Sequence, residues 1–113
     1  MIELYEFPLS GNSHKVRLML GLLGLEYRSH KLDMGSGEHK SPQHLQRNPF
    51  GQVPVLKDDD IVIRDSQAIL VYLARAYGNG SNGENPNKEN HWYPNNPVKA
   101  AQISAWLSTA ANE

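Results

Sequence analysis

From Asn79 to Asn96 the chain is dominated by Asn, Gly and Pro, and only Trp92 and Tyr93 give it large apolar side chains. Such a stretch cannot order itself by burial, and it is longer than the connections usual inside a compact domain. It therefore divides the sequence. The full 113 residues suffice for one core but not for two complete domains. The packed unit must come from the residues before Asn79, and the residues from Pro97 onward form something separate.

Within the first part, strand and helix signals alternate. Ile2-Glu3-Leu4-Tyr5-Glu6-Phe7 alternates apolar and acidic residues as a strand does, and Pro8 ends it. Leu9 to Ser13 is a turn, with Asn12 or Ser13 expected to cap the next helix. On that helix Val16, Met19, Leu20 and Leu23 form one apolar stripe, and Gly24 closes it. Leu18 and Leu22 lie off the stripe and call for a second covering surface. Glu26 to Leu32 reads as a more polar strand, so the first half predicts a strand-helix-strand unit with parallel strands. A polar loop from Asp33 to Ser41 leads to a short helix that Pro42 opens and Asn48-Pro49 ends. Val53 to Lys57 and Ile61 to Ile63, joined through Asp58-Asp59-Asp60, predict a hairpin. Asp65-Ser66 starts a further helix with Ile69, Tyr72, Leu73 and Ala76 inward, and Gly78 stops it. The sum is an α/β layer of strand, helix, strand, helix, strand, strand, helix over a four-stranded mixed sheet. After Pro97 a last helix places Ile103, Trp106, Leu107 and Ala110 on one face, and its end carries no glycine stop.

Several function classes are excluded at this level. With 11 Lys and Arg against 12 Asp and Glu, and no long run of either sign, a nucleic-acid partner lacks the basic face it needs. No apolar run approaches the roughly 20 residues of a membrane span, and the start lacks the pattern of a signal peptide. A cytoplasmic location is the default expectation. The chain has no cysteine, so thiolate metal sites and a cysteine nucleophile are ruled out and thiol chemistry has to arrive with a ligand. His14, His30, His44 and His91 have no metal-site spacing and read as surface or packing residues, and no metal is expected.

Four segments, in order, carry a resemblance: Ser10-Gly11-Asn12-Ser13-His14-Lys15-Val16-Arg17, Glu38-His39-Lys40-Ser41-Pro42, Asn48-Pro49-Phe50-Gly51-Gln52-Val53-Pro54, and Arg64-Asp65-Ser66-Gln67-Ala68-Ile69. Together they resemble the N-terminal domain of serine-type glutathione transferases, especially the phi, theta and related bacterial groups. The resemblance implies a thioredoxin-like, glutathione-binding domain over 1–78, an interdomain linker over 79–97, and over 98–113 the first helix of an all-α C-terminal domain that is truncated. It further implies that Leu18 and Leu22 are where that helical domain packs, and that a homodimer forms.

The resemblance also distributes roles. Ser10 would donate a hydrogen bond to the sulfur of glutathione and favour its thiolate, with Asn12 and Ser13 as competing activators; completing the turn is the plainer reading of Ser10, and capping the helix that of Asn12 and Ser13. The Val53-Pro54 bond would be cis, presenting the Val53 backbone to the cysteinyl part of glutathione as an added strand does. Asp65 and Ser66 would hold the γ-glutamyl end, with Gln52 reaching the same end. The family more often has Glu where this chain has Asp65, and the shorter arm weakens a direct ammonium contact. His39 and Lys40 would meet the glycyl carboxylate. Glutathione is thus the expected co-substrate and an unidentified electrophilic small molecule the second partner. The alternatives are a non-catalytic assembly module on the same fold and a glutathione-dependent isomerase, dehalogenase or peroxidase.

Overall fold

The computed structural model describes residues 1–78, 90 and 92–112. Most of the expected linker, together with His91, lies outside the described residues. The chain divides into two compact units, Met1–Leu70 and Val71–Glu113.

The first unit is built on a four-stranded sheet in the order β2-β1-β3-β4. Its strands are β1 (Ile2–Glu6), β2 (Tyr27–Lys31), β3 (Val55–Asp58) and β4 (Ile61–Arg64). β1 pairs parallel with β2 and antiparallel with β3, while β3 and β4 form the antiparallel hairpin, so the sheet is mixed as expected. The hairpin turn is Asp59-Asp60, and Asp59 takes a left-handed φ of 51° that Asp tolerates better than most residues. Asp58, read from sequence as part of the turn, instead ends β3 and is buried.

Alternation along β1 gives the sheet two different faces. Ile2, Leu4 and Glu6 are buried on one, and Glu3 and Tyr5 are half-buried on the other. Helix α1 (Gly11–Leu22) reaches the first face, because its Arg17 bonds the carboxylate of Glu6. Helix α2 (Pro42–Arg47) reaches the second, where the Arg47 guanidinium lies 3.8 Å from the centre of the Tyr5 ring. Both faces carry buried residues: Leu4 and its partner Leu56 are fully buried on the α1 face, as are Val16 and Leu20 of α1, while Val55, paired with Tyr5, is fully buried on the other face; Ile69 is fully buried as well. Leu18 and Leu22, the off-stripe leucines, are 54% and 62% exposed.

Two local readings are corrected. The cap of α1 is neither Asn12 nor Ser13. The helix begins at Gly11, and the Ser10 hydroxyl accepts the Ser13 amide at 3.2 Å. Ser13 is instead buried, with Val16 and Leu20, and its Oγ has no hydrogen-bond partner among the described residues. At the other end the glycine stop is as expected. Gly24, at φ 69°, lets Leu25 N–H donate to Leu20 and Gly24 N–H to Gly21, the two bonds of a Schellman motif. The second correction concerns β3, which begins at Val55 and not Val53: the cis Val53–Pro54 bond precedes the strand, and proline has no amide for the ladder.

Helix α3 (Ser66–Tyr77) runs through the division between the units. In the second unit Leu73 and Ala74 are buried, while Tyr72 and Ala76 are half-buried. Asn90 ties the chain to the end of α3, donating from Nδ2 to the Ala74 carbonyl at 2.8 Å and accepting the Trp92 and Tyr93 amides on Oδ1. Helix α4 (Pro97–Asn112) has Ile103 and Leu107 half-buried. Trp106, expected on their face, is 75% exposed.

Candidate functional site

Ser10 ends the connection from β1 in an extended conformation, and its amide donates to the Phe7 carbonyl at 3.1 Å. Its hydroxyl oxygen accepts the Ser13 amide, which uses one lone pair and leaves the hydroxyl proton available for another acceptor. Capping and donation to a ligand are compatible in one residue. The oxygen also sits at the positive end of a helix that runs to Leu22, where a nearby anion is favoured.

Ser10 and Asn12 line one wall of an open cavity of about 370 Å³, a size within the range of small-molecule sites. Four more of the residues expected from sequence line the same cavity: His39, Lys40, Gln52 and Val53. Pro54 follows directly and is buried, and its bond to Val53 is cis, as the resemblance implies. Asp65 and Ser66 are not among the lining residues. Phe7, Met34 and Gly51 are, and sequence reasoning had given none of them a part.

His39 and Lys40 occupy a 3₁₀ turn, Glu38–Lys40, in a loop that is tied to itself. Asp33 accepts the Gly35 amide on its carboxylate, and Glu38 reaches back to the Asp33 amide at 2.7 Å. The His39 ring packs edge-on against Phe7, and its Nδ1 is buried without a hydrogen-bond partner among the described residues. Lys40 Nζ donates to the Phe50 carbonyl at 3.1 Å. Gly51 makes room for it: φ is 66°, and a Cβ there would stand 2.7 Å from Lys40 Nζ.

Behind the cavity, the Gln52 carbonyl accepts two hydrogen bonds, from His44 Nε2 at 2.9 Å and from Asn48 Nδ2 at 3.1 Å. His44 is fully buried, and Asn48 is 3% exposed. His44 is therefore the packing residue of the two alternatives read from sequence, with a bonding role that no local signal announced.

Asp65 stands at the start of α3 with a left-handed φ of 76°. Its Oδ2 accepts the Ala68 amide at 3.1 Å, so it caps the helix. A carboxylate accepts about four hydrogen bonds, and capping does not exhaust it. Ser66 is buried and donates to the Gln67 side chain at 3.2 Å. No group of three or more His, Asp or Glu residues is placed to hold a metal ion among the described residues.

The family model for the N-terminal domain of glutathione S-transferase matches residues 1–75. The chain belongs to this family. Among curated relatives of this glutathione S-transferase domain, the probable glutathione S-transferase GSTF2 of Oryza sativa subsp. japonica is 36% identical over 112 residues, covering 99% of this chain and 47% of the relative. Glutathione S-transferase 1 of Zea mays is 35% identical, covering 99% and 48%. Among solved structures, Ure2p in complex with glutathione superposes with a TM-score of 0.80 at 32% identity, covering 94% of this chain and 43% of that one. The chain spans about half the length of the curated relatives it matches. The four-stranded sheet with its helices is accordingly the thioredoxin-like fold of glutathione S-transferases. No helix among the described residues is long and apolar enough to cross a membrane.

Proposed function

We propose that this domain binds glutathione in the cavity between the α1 N-terminus and the Gln52–Val53 segment, and that Ser10 holds the sulfur as a thiolate for attack on an electrophilic small molecule. The observation that carries the reading is the convergence of Ser10, His39, Lys40, Gln52 and Val53 on one cavity, although they lie on three separate segments of the chain. Lys40 and His39 supply cationic and hydrogen-bonding character for the glycyl carboxylate, and the Val53 backbone pairs with the cysteinyl residue. Asp65 and Ser66 at the α3 N-terminus take the γ-glutamyl end. Asn12, on the same wall as Ser10, is the alternative activator. An unperturbed thiol has a pKa of about 8.5, and each unit by which it falls represents about 1.4 kcal/mol in favour of the thiolate. A charge-assisted hydrogen bond together with a helix N-terminus is of that order.

The whole protein is then a glutathione transferase of the detoxifying kind, cytoplasmic and homodimeric, with residues 1–78 as the glutathione domain, 79–97 as linker and 98–113 opening a helical domain. The electrophile's class is set by surfaces other than this cavity.

Titration calorimetry with glutathione tests the binding, and absence of heat at millimolar glutathione would overturn the proposal. Because Ser10 also caps α1, its substitution needs a control. Ser10→Ala removes both the donor and the cap, whereas Ser10→Gly removes the donor and keeps most of the cap's stability. Both are expected to bind glutathione near wild-type affinity and to lose the ultraviolet absorbance of the bound thiolate. Retained thiolate in both would transfer the role to Asn12.

A further inference from the structure

The donors behind the cavity define a job that belongs to no ligand-contacting residue. The Gln52 carbonyl and the Val53 N–H are parts of one peptide unit, which is planar and rigid. Fixing the carbonyl oxygen in space therefore fixes the direction of the N–H on the opposite side of the same plane. Two side chains fix that oxygen, and both are buried: His44 Nε2 at 2.9 Å and Asn48 Nδ2 at 3.1 Å. Both donors are themselves held. The His44 amide donates to the Ser41 hydroxyl, the Asn48 amide donates to the His44 carbonyl, and Asn48 Oδ1 accepts the Phe50 amide. A carbonyl can only accept, so His44 carries its proton on Nε2.

Pro54 makes this control of the peptide plane more consequential. It follows in a cis bond and offers no N–H, so the Val53 amide is the one backbone donor that the Val53-Pro54 pair can present to the cavity. Rotation of the Gln52–Val53 peptide by a few tens of degrees would misdirect it.

We propose that His44 is a positioning residue for glutathione: through the Gln52 carbonyl it aims the Val53 N–H at the carbonyl of the cysteinyl residue. The inference rests on the binding reading above. Asn48 alone leaves the carbonyl with one donor and the plane free to tilt about it, and His44 supplies the second point that stops the tilt. His44 touches no substrate atom, so its effect appears only in contacts made by Val53.

The test is a cycle of two changes read by calorimetry. One is His44→Phe, which keeps ring volume and removes the donor. The other is a glutathione analogue in which the cysteinyl–glycyl amide is replaced by an alkene, which deletes the acceptor that Val53 addresses. Wild type is expected to bind the analogue roughly tenfold more weakly than glutathione, the order of one well-made hydrogen bond. His44→Phe is expected to bind glutathione roughly tenfold more weakly and to lose less than about threefold further with the analogue, since the contact is already spoiled. His44→Gln, which returns an N–H donor, is expected to regain most of the affinity. Equal losses with the analogue in wild type and His44→Phe would overturn the positioning role while leaving glutathione binding standing. A wild-type chain that binds no glutathione would overturn the binding reading itself. Should His44→Phe not fold, nitrogen NMR of the wild-type ring decides: the Nε2–H tautomer supports the proposal, and an Nδ1–H tautomer overturns it.

Discussion

Asn48 and Asn90 make nearly the same set of hydrogen bonds in two different regions. Each accepts the amide of the residue two positions on, Phe50 in one case and Trp92 in the other, and each donates from Nδ2 to a backbone carbonyl. Each also has an arginine on a tyrosine nearby, Arg47 at 3.8 Å from the centre of Tyr5 and Arg75 at 5.3 Å from the centre of Tyr93. The surroundings differ. Asn48 is buried and shares its carbonyl with the buried His44, while Asn90 is only half-buried and Arg75 is exposed. Water replaces a lost partner more readily at Asn90 than at Asn48. The same local chemistry should thus be worth several times more beside the candidate site than at the end of α3.

Asn48→Ala puts that difference to its hardest test. It leaves the Phe50 amide without its acceptor and the Gln52 carbonyl with one donor in place of two, at a side chain that is itself buried, and a loss of roughly 1–3 kcal/mol is expected by denaturant unfolding. Glutathione affinity should fall with it, because the plane of the Gln52–Val53 peptide is released. A loss below about 1 kcal/mol would show that burial does not separate the two asparagines.

Gly51→Ala acts on the same loop by a different route. A φ of 66° is unfavourable for any residue with a Cβ, and that Cβ would press on Lys40 Nζ and on the His39 carbonyl at 3.1 Å. The backbone term is about 1–2 kcal/mol. The lysine can swing away, so the second consequence is loss of its bond to Phe50 and, on the proposed binding mode, a weaker grip on the glycyl carboxylate of glutathione. Unfolding and calorimetry on this variant separate the two: a stability loss with unchanged affinity would place Lys40 outside the ligand site.

Asn90→Ala is the counterpart in the second unit. It removes the donor to the Ala74 carbonyl and the acceptor for two amides, but solvent reaches the vacated groups, and about 1 kcal/mol is expected. Glutathione affinity should not change. An effect as large as that of Asn48→Ala would mean that the α3 terminus depends on this side chain as strongly as the buried loop depends on its own.

The sequence made the two asparagines legible to different degrees, and the reason is physical. Asn48 sits in Asn48-Pro49, where proline punctuation marks a turn, and the order of strands and helices followed from residue periodicity together with proline, glycine and capping signals. Asn90 sits among asparagines that composition cannot tell apart, and only its bond across sixteen positions to Ala74 singles it out. That Ser10, Asn12, His39, Lys40, Gln52 and Val53 line one cavity could be anticipated because each belongs to a segment that carries the family resemblance. The part of His44 could not be anticipated, because its partner is a backbone carbonyl and backbone carbonyls leave no mark in a sequence. Phe7 and Met34 were missed for a related reason: an apolar residue at a strand end or in a loop carries no sign of which cavity it will line. The cap of α1 went to Ser10 and not to Asn12 or Ser13 because all three are good capping residues, and the choice depends on where the chain leaves β1.

A hydrogen bond on the Glu3–Tyr5 face of the sheet extends the contrast to a contact weaker than either asparagine. His30 Nε2 bonds the Glu3 carboxylate at 2.9 Å and stacks on Tyr5, the ring that also carries Arg47. The Glu3 carboxyl is held below its ordinary value, first by the hydrogen bond from His30 and then by the charge of Lys57. A carboxyl lowered in the folded state stabilises the fold above its unfolded pKa, and that contribution is lost as pH falls through the folded value. The chain should therefore lose a little stability on acidification, in the window that begins at the ordinary glutamate range and extends below it. His30→Phe preserves the stacking and removes the bond. Carbon NMR should then show the Glu3 carboxyl titrating higher than in the wild type, because burial, which raises it, outranks the charge of Lys57, which lowers it, and the acid-side loss should shrink. A wild-type titration at or above the ordinary value would remove His30 as a partner. A loss on His30→Phe as large as that of Asn90→Ala would mean that charge, and not burial, sets the ranking of these contacts.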